Sequence, residues 1–505
     1  MFGALCAVVF AVVFSAPLPV SGQAESLPAP VRHGYSFEQL SNSRYSVHAG
    51  FDDSLPAQVM ANVLWAMSRA PRAGSEYREF YVATPENVYR YDPSNLLLTL
   101  YRAGDHRYNS GSAFEVGVAA GRPEETGMAI QAGLLAGTAF RRMTNDEGRT
   151  SNGGQSAINV VSCPMEWAAD HAAADWNPAH PIRMVNVFGS APAAPLDTVC
   201  VARSTDSSLP LPHVVGPDTF EAVVADLGQD SSFSPVELSQ ENLSQLCWAA
   251  YGVTPHATYN RRQGLTVPSA MADYYLTDRI YVVGQDEVGR YHNRLADTEV
   301  TTRDHRLEPV TIGDRRPQLR AASTRIPGSA PTYFVVCVPD TTSESALMEA
   351  GFAGFQLLAQ ARALGLAGCL VVPLSRAERR DIVTALQLPD GHVPALVFAV
   401  GEAGAGAAQR GPAAGVVTIV RAQSAMRQSS LQVEYRLSQA GQVRAQVYDM
   451  LGRPVRLLVN EQQSSGYHTV VWDGTGEDGA RQKRGTYLLV IISGGTVAQH
   501  KVNIG

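Results

Sequence analysis

The clearest pattern of hydrophobic and polar positions lies between residues 243 and 283. In its first part, apolar residues recur at a helical spacing: Leu243, Leu246, Cys247 and Ala250. The last part, residues 279–283, is β-branched and aromatic, which predicts a strand. A polar loop that ends in Pro268, Ser269 and Ala270 joins the two. The stretch therefore predicts a helix, a loop in which proline fixes one φ angle, and a strand.

The same order of elements occurs earlier in the chain. The corresponding segments are residues 63–66 and 246–249, residues 79–84 and 279–283, and residues 87–104 and 287–303. The third earlier segment predicts a two-stranded hairpin, because the run Asp92–Asn95 is typical of a turn.

Two long stretches of small and apolar residues, 124–140 and 349–369, predict helices that are apolar nearly all round. Both begin with Glu-x-Gly-x-Ala and continue to a Gln. Later in each copy comes a strand that closes on a glycine, at Gly189 and at Gly401. Self-similarity over such a length indicates repeated units, so the chain is predicted to hold two similar units in tandem.

The tail has a different pattern. From Leu431 onward, short stretches of alternating apolar and polar residues are separated by Gly, Asn and Asp. This pattern predicts an all-β sandwich of about 75 residues.

Composition bounds the function. The chain has 505 residues, of which 45% are hydrophobic and 17% charged, and this is typical of a globular protein with room for about three domains. A net charge of -7 gives no reason to expect a nucleic-acid partner.

The N-terminus predicts a secretory signal peptide over residues 1–24, because an apolar run from Ala4 to Phe14 is followed by small residues and proline. The run has no Lys or Arg before it and is shorter than the ~20 residues that span a membrane. The mature protein is therefore expected to have no transmembrane segment. The alternative is a buried N-terminal strand.

Cysteines give no site. Cys6 lies in the predicted signal peptide, and the other five form no C-x-x-C or His-rich cluster: Cys163, Cys200, Cys247, Cys337 and Cys369. The last three lie in apolar surroundings, which favours small core residues. No metal site is expected.

The helix, the Pro268-Ser269-Ala270 loop and the strand that follows resemble the nitroreductase family, most closely its SagB-like thiazoline/oxazoline dehydrogenase branch. The shared Glu-x-Gly-x-Ala helices resemble the family's central helix, which is buried between the subunits of a dimer. The resemblance implies an α+β fold with two nitroreductase-like units forming an intramolecular pseudo-dimer. The units are predicted at residues 31–190 and 241–401, with a linker and lead-in at 191–240.

The tail resembles the FlgD-like immunoglobulin fold used as the C-terminal sorting domain of the type IX secretion system. The residues that carry this resemblance are Val447, Tyr448, Asp449, Gly452, Gly466, Trp472, Asp473, Gly474, Gly485, Tyr487 and Lys501. It implies a linker at 402–428, a sorting domain at 429–505, the secretion machinery as a partner, and a secreted or cell-surface location. An ordinary binding domain of immunoglobulin type is the alternative.

The family binds flavin mononucleotide (FMN) between a phosphate motif, Arg-x-Ser-x-Arg/Lys, of one subunit and the Pro-Ser loop of the other. The first unit matches this motif with Arg44, Ser46 and His48, and the second unit keeps Pro268, Ser269 and Ala270. The other two segments match the family poorly. At the place of the phosphate motif in the second unit, residues 228–233 carry Asp230 and no cation. At the place of the Pro-Ser loop in the first unit, residues 70–75 depart from the loop pattern. The resemblance thus implies one composite FMN site.

Two functions remain open. One is a secreted, FMN-dependent oxidoreductase acting on an unidentified small molecule or peptide, with no catalytic residue assigned. Tyr274 and Tyr275 are the phenols nearest the loop in sequence, and packing is their expected role. The other is a cofactor-free, degenerate nitroreductase fold that acts as a surface binding or structural module, with Arg44 an ordinary surface arginine.

Overall fold

The structure is a computed structural model of the chain. It describes residues 24–31, 34–44, 55–74, 77–107, 111–143, 157–161, 182–189, 200–201, 209–210, 212–257, 263–269, 273–294, 302–404, 417–425, 430–437, 440–449, 453–464, 466–493 and 496–504. The predicted signal peptide lies outside these residues except for Ala24.

The first unit is built on a seven-stranded sheet. Its strands are β1 (Ala24–Ser26), β2 (Arg78–Ala83), β3 (Asn87–Asp92), β4 (Leu97–Ala103), β5 (Phe114–Ala120), β6 (Ala157–Val161) and β7 (Ile182–Gly189). The spatial order is β1-β4-β3-β2-β5-β7-β6, and every pairing is antiparallel. The predicted hairpin over residues 87–104 is confirmed as β3 and β4.

The second unit has a sheet of the same size. Its strands are β8 (Cys200–Val201), β11 (Ile280–Val283), β12 (Glu287–Arg294), β13 (Thr302–Ile312), β14 (Thr332–Val338), β15 (Ala367–Val371) and β16 (Val393–Gly401). A separate short hairpin consists of β9 (Val253–Ala257) and β10 (Gln263–Leu265). The order is β15-β16-β14-β11-β12-β13-β8. In this order, its first six strands correspond one by one to the strands of the first sheet read from the β6 edge: β6, β7, β5, β2, β3 and β4.

Eight helices lie in the described part of the chain. They are α1 (Phe37–Ser43), α2 (Ala57–Arg69), α3 (Pro123–Met143), α4 (Phe220–Ala225), α5 (Gln240–Tyr251), α6 (Arg316–Ala321), α7 (Glu344–Ala363) and α8 (Arg376–Leu386). The two long apolar helices, α3 and α7, pack against each other, as the resemblance to a family dimer implies.

The crossing of α3 and α7 is close because glycine occupies both contact points. A Cβ atom added to Gly127 would lie 2.1 Å from the carbonyl oxygen of Met348, and one added to Gly351 would lie 2.1 Å from that of Glu124. Since no real Cβ contact is that short, each glycine allows the partner backbone to approach. The two contacts are reciprocal, with each glycine meeting the residue three positions before the other.

The predicted extent of the second long helix, residues 349–369, is wrong at both ends. α7 starts five residues earlier, where Ser343 caps it, and stops at Ala363. Gly365 has a φ of 71°, and its N–H donates to the carbonyl of Arg362, so the chain leaves the helix there. Cys369 therefore lies in β15 rather than in the helix.

The short helices α1 and α4 meet at their N-termini. Ser36 caps α1 and Thr219 caps α4, each accepting a hydrogen bond from the third residue beyond it. Ser36 and Thr219 form an antiparallel bridge, and the Phe220 N–H donates to the Tyr35 carbonyl. The two lead-in segments of the units are thereby joined.

One large apolar core runs through both units and includes residues of α2, α3, α5 and α7. Cys247 and Cys337 are fully buried, which confirms them as core residues, and burial raises the pKa of both thiols. Cys369 is half-buried in β15.

The tail forms two sheets, which confirms its all-β character. One contains β17 (Val417–Ala425), β18 (Ser430–Leu437) and β21 (Gly466–Trp472), and the other contains β19 (Gly441–Asp449), β20 (Pro454–Gln463), β22 (Gly485–Ser493) and β23 (Thr496–Ile504). Trp472 and Tyr435 are buried in the tail core. β17 lies inside the range predicted as a linker, and its pairing with β18 places it in the tail sheet.

The tail packs on the lead-in of the second unit. Val214 and Val215 form an apolar cluster with Tyr448, Leu488 and Val490 of the tail. In the described part of the chain, no helix has the length and apolar character needed to cross a membrane.

Candidate functional site

The described part of the loop predicted to lie against a cofactor runs from Leu265, the last residue of β10, to Ser269 and is held at its base by α5. We call it the Pro268 loop. The Thr266 N–H donates to the carbonyl of Gly252 (2.9 Å), and the Thr266 hydroxyl donates to that of Trp248 (3.2 Å). Both carbonyls lie at the C-terminal end of α5, where the Trp248 carbonyl also accepts from the Gly252 N–H.

Residues of both units converge on the same loop. Arg44, which follows α1 of the first unit, donates from Nη2 to the Leu265 carbonyl (2.7 Å) and from Nε to the Thr266 carbonyl (3.2 Å). The Thr266 carbonyl also accepts from Gln131 of α3 (3.1 Å) and Gln356 of α7 (2.9 Å). The two central helices and the predicted phosphate-motif arginine are therefore tied to one carbonyl oxygen.

This geometry brings together the two halves that sequence reasoning placed in one site. Arg44 of the first unit contacts the loop that contains Pro268 and Ser269 of the second unit. Arg44 is only 4% exposed, so it is not a surface arginine. The other three predicted site residues, Ser46, His48 and Ala270, lie outside the described residues.

Ser269 is bonded to a buried carboxyl group. Its hydroxyl donates to Oε2 of Glu349 (2.7 Å) and accepts from the Tyr274 N–H (2.7 Å). Oε1 of Glu349 accepts from the Tyr251 hydroxyl and from the Leu276 N–H (3.4 Å). Glu349 is in the first two turns of α7, so this helix fixes the Pro268 loop from behind.

Burial raises the pKa of Glu349 from 4.5 to about 7, against the hydrogen bonds from Tyr251, Ser269 and Leu276, which favour the carboxylate. The nearby negative charge of Asp273 raises it further. Glu349 therefore exchanges its proton close to neutral pH, whereas an exposed glutamate would be ionised there.

The first unit has a glutamate in the equivalent place. Glu125 of α3 accepts a hydrogen bond from the Ala73 N–H (3.0 Å) and forms ion pairs with Arg72 (2.8 Å) and Arg78 (3.6 Å). Burial lowers the pKa of Arg78 to about 10, and the charge of Glu125 opposes that shift. Arg72 thus occupies the place that Ser269 takes in the second unit.

The remaining candidates lie elsewhere or are engaged in packing. The Asp230 N–H donates to the carbonyl of Gly368 (2.9 Å), so residues 228–230 lie along the edge of the second sheet. Tyr274 is buried, and the Tyr275 hydroxyl donates to Asp273 (2.6 Å), with the pKa of Tyr275 raised to about 12 mainly by desolvation. These contacts agree with the packing role expected for both tyrosines.

A separate groove of about 780 Å³ opens between α5 and the β12–β13 hairpin. Its walls combine apolar residues, among them Leu209, Leu243 and Leu307, with Asp286 and Glu287. None of its lining residues belongs to the Pro268 loop. In the described residues, no cluster of His, Cys, Asp and Glu could hold a metal ion.

The family that the sequence resembles implies a flavin at the Pro268 loop. The Ser269 hydroxyl donates a hydrogen bond to Glu349 and accepts one from the Tyr274 N–H. A hydroxyl oxygen has a second lone pair, which can accept from a ring N–H. The half-buried Ser269, beside a φ-fixed proline, therefore fits the ring end. At the phosphate end, Arg44 is bonded to loop carbonyls, and Ser46 and His48 carry the remaining part of the motif.

Sequence reasoning missed Glu349 as part of the site. The Glu-x-Gly-x-Ala motif that contains it predicts only the central helix. A glutamate inside a stretch that is otherwise apolar was an available signal, because a buried carboxyl group requires hydrogen-bond donors nearby.

The fold and site define an α+β protein with two similar units and an all-β tail. Residues 231–402 match the Nitroreductase family, and residues 421–494 match the FlgD Ig-like domain. The chain therefore contains a Nitroreductase family domain and a C-terminal FlgD Ig-like domain. No curated protein gives a significant match.

Solved structures with similar folds include a protein from Anabaena variabilis assigned to the nitroreductases. It is 11% identical, with 72% of this chain and 93% of that chain covered and a TM-score of 0.48. An FMN-dependent nitroreductase from Clostridium difficile is 16% identical, covering 35% and 83%, with a TM-score of 0.24. A protein from Desulfovibrio desulfuricans, assigned as a nitroreductase and solved with FMN, is 16% identical, covering 38% and 88%, with a TM-score of 0.25.

Proposed function

We propose that the chain is an FMN-dependent oxidoreductase with a single composite site at the Pro268 loop. The observation that carries this proposal is the contact of Arg44 with the carbonyls of Leu265 and Thr266. Two half-motifs that lie more than 220 residues apart in the sequence meet there. The Nitroreductase family match over residues 231–402 supports the same class of activity.

In this site Pro268, Ser269 and Ala270 would lie against the flavin ring, and Arg44, Ser46 and His48 would hold the phosphate. FMN, when bound, supplies hydride transfer. The protein's part is to position the ring with the Pro268 loop, which is fixed by Gln131 and Gln356. Histidine is only partly charged at neutral pH, so His48 would hold the phosphate less tightly than a lysine.

The architecture supports a tandem, SagB-like pseudo-dimer in one polypeptide. The matching strand order of the two sheets and the reciprocal glycine contacts of α3 and α7 are its structural basis. Arg72 stands where the second unit has Ser269, so only the second unit keeps the Pro-Ser loop, which fits a single functional site. The substrate is an unidentified small molecule or peptide, and oxygen or a quinone would accept the electrons outside the cytoplasm, where NAD(P)H is scarce.

Export is the second part of the proposal. The apolar run Ala4–Phe14 supports a signal peptide, and the FlgD Ig-like match over residues 421–494 supports a type IX sorting tail. Expression in a bacterium that has this machinery tests it. The full chain should reach the cell surface or medium, and a chain lacking residues 417–505, the whole tail with β17, should stay in the periplasm. Equal export of both would reject the sorting role.

A specific observation favours a second function. The Arg44 guanidinium lies against two backbone carbonyls and is almost fully buried, which is the contact set of a structural arginine. In this alternative the fold is a cofactor-free surface module, and Arg44 joins the two units without binding a phosphate.

The absorption spectrum of the purified chain, incubated with excess FMN and desalted, separates the two functions. The oxidoreductase proposal expects retained flavin bands, weakened by Ser269→Ala and by Arg44→Ala. Asp230→Ala is the matched control and should retain flavin like the wild type. Circular dichroism of each variant identifies loss of fold. A folded wild-type chain that retains no flavin would reject the oxidoreductase proposal.

A further inference from the structure

The carboxyl group of Glu349 and the hydroxyl of Ser269 form a hydrogen bond whose direction depends on one proton. With Glu349 ionised, Oε2 has Ser269 as its donor, while Oε1 has Tyr251 and Leu276. The Leu276 amide can only donate, so a proton added to Oε1 would face a fixed donor. A proton on Oε2 affects only the hydrogen bond with the Ser269 hydroxyl, which can reverse its direction because a hydroxyl both donates and accepts.

The count of donors and acceptors then fixes the state of Ser269. A protonated Oε2 donates to the Ser269 oxygen, which still accepts from the Tyr274 N–H. These two bonds fill both lone pairs of the hydroxyl. The Ser269 proton, no longer directed at Glu349, is free to turn to the half-buried outer side of the loop. With Glu349 ionised, the same outer side receives a lone pair.

We propose that Glu349 is a positioning residue that switches Ser269 between a hydrogen-bond acceptor and a hydrogen-bond donor toward the ligand at the Pro268 loop. In its ligand part the inference rests on the proposed flavin site. The ring edge of oxidised flavin carries several acceptors and one N–H donor, so FMN binds more tightly when Glu349 holds its proton.

The surroundings of Glu349 support exchange near neutral pH. Helix α5 contributes Tyr251, and the segment after the loop contributes Asp273 and Tyr275. These groups are neutral or acidic, and burial with the charge of Asp273 raises the pKa of Glu349 to about 7.

FMN titrations of the full chain between pH 5.5 and 8.5, followed by flavin fluorescence, test the switch. The wild type should match Glu349→Gln at the acidic end, where both side chains donate to Ser269, and should bind FMN about fivefold more weakly than this variant at the alkaline end, since one hydrogen bond is at stake. Both proteins share the titrations of the FMN phosphate and of His48, so the difference between their profiles isolates Glu349. Glu125→Gln is the matched control and should follow the wild-type profile. Identical pH profiles for the wild type and Glu349→Gln would overturn the inference.

A second measurement needs no ligand and separates failure of the inference from failure of the flavin proposal. In difference infrared spectra, the protonated carboxyl band missing from Glu349→Gln should titrate near neutral pH in the wild type. Ser269→Ala removes a donor to the carboxylate, so the midpoint should rise in that variant. If FMN does not bind, the flavin proposal fails, and this titration decides the inference. An unchanged midpoint in Ser269→Ala would overturn it.

Discussion

Glu125 and Glu349 occupy the same position in two similar helices, but their surroundings differ in charge. Glu125 faces Arg72 and Arg78, whereas Glu349 faces two hydroxyls and a backbone N–H. The difference begins with one loop residue, Arg72 in the first unit and Ser269 in the second. It teaches that a repeated fold can keep a carboxyl group at one position and change the charge of the groups that face it.

The largest loss of stability is expected from substitutions at the crossing of α3 and α7. Gly127→Ala and Gly351→Ala each place a Cβ 2.1 Å from a backbone oxygen, so the crossing must open. We expect a loss of about 3 kcal/mol or more in the free energy of unfolding, or failure to fold. Gly328→Ala is the control, because an added Cβ meets nothing within 4 Å. Denaturant unfolding measures all three, and equal stabilities would contradict the close crossing.

Replacing each glutamate by glutamine should lower the stability by different amounts. Glu125→Gln leaves the nearly buried Arg78 without its carboxylate, and we expect a loss of roughly 3 kcal/mol. Glu349→Gln at pH 5 replaces a neutral group by another and should cost less than about 1 kcal/mol. Chemical denaturation at pH 5 tests the pair. A larger loss for Glu349→Gln would mean that Glu349 is ionised there.

Stability should depend on pH through Glu349. Its pKa is about 7 in the folded chain against 4.5 for the free residue, so the folded state binds more protons in that interval. The contribution is complete below pH 4.5 and is lost as the pH rises through 7, with a size of roughly 3 kcal/mol. The wild type should therefore lose stability between pH 4.5 and 7 relative to Glu349→Gln. Parallel curves of melting temperature against pH would reject this.

The smallest effect sharpens the comparison. Arg72→Ser gives Glu125 the kind of partner that Glu349 has. Because the Arg72 side chain is 45% exposed and Arg78 stays in place, the loss should be about 1 kcal/mol or less. Thermal unfolding of this variant beside Ser269→Ala measures it. A loss as large as that of Glu125→Gln would show that Arg72 carries most of the ion pairing.

Much of the fold followed from periodicity. The helix over residues 240–251, the strand Ile280–Val283 and the hairpin β3–β4 were all predictable, because their apolar spacing and turn residues act locally. The end of α7 was not, since Gly365 stands among small residues that would also suit a helix. The predicted linker includes β17, although the β-branched run Val417–Val420 favours a strand, and its pairing with β18 places it in the tail sheet.

The site was predictable only in part. The meeting of Arg44 with the Pro268 loop followed from the resemblance to a family dimer. The convergence of Arg44, Gln131 and Gln356 on the Thr266 carbonyl did not, because these pairs are separated by 222, 135 and 90 residues and no local pattern records them. The partner of Ser269 lies 80 residues away in a helix whose residues are mostly apolar or small.

Because Arg72 and Ser269 belong to one polypeptide, each has its own codon. In an assembly of two identical chains, one codon encodes both copies of a residue. An arginine that faces the glutamate in one copy therefore faces it in the other copy as well. Here each loop can mutate without the other. Selection on one loop therefore leaves the opposite loop free to acquire a different residue, and the ion pair of Arg72 with Glu125 is such a difference.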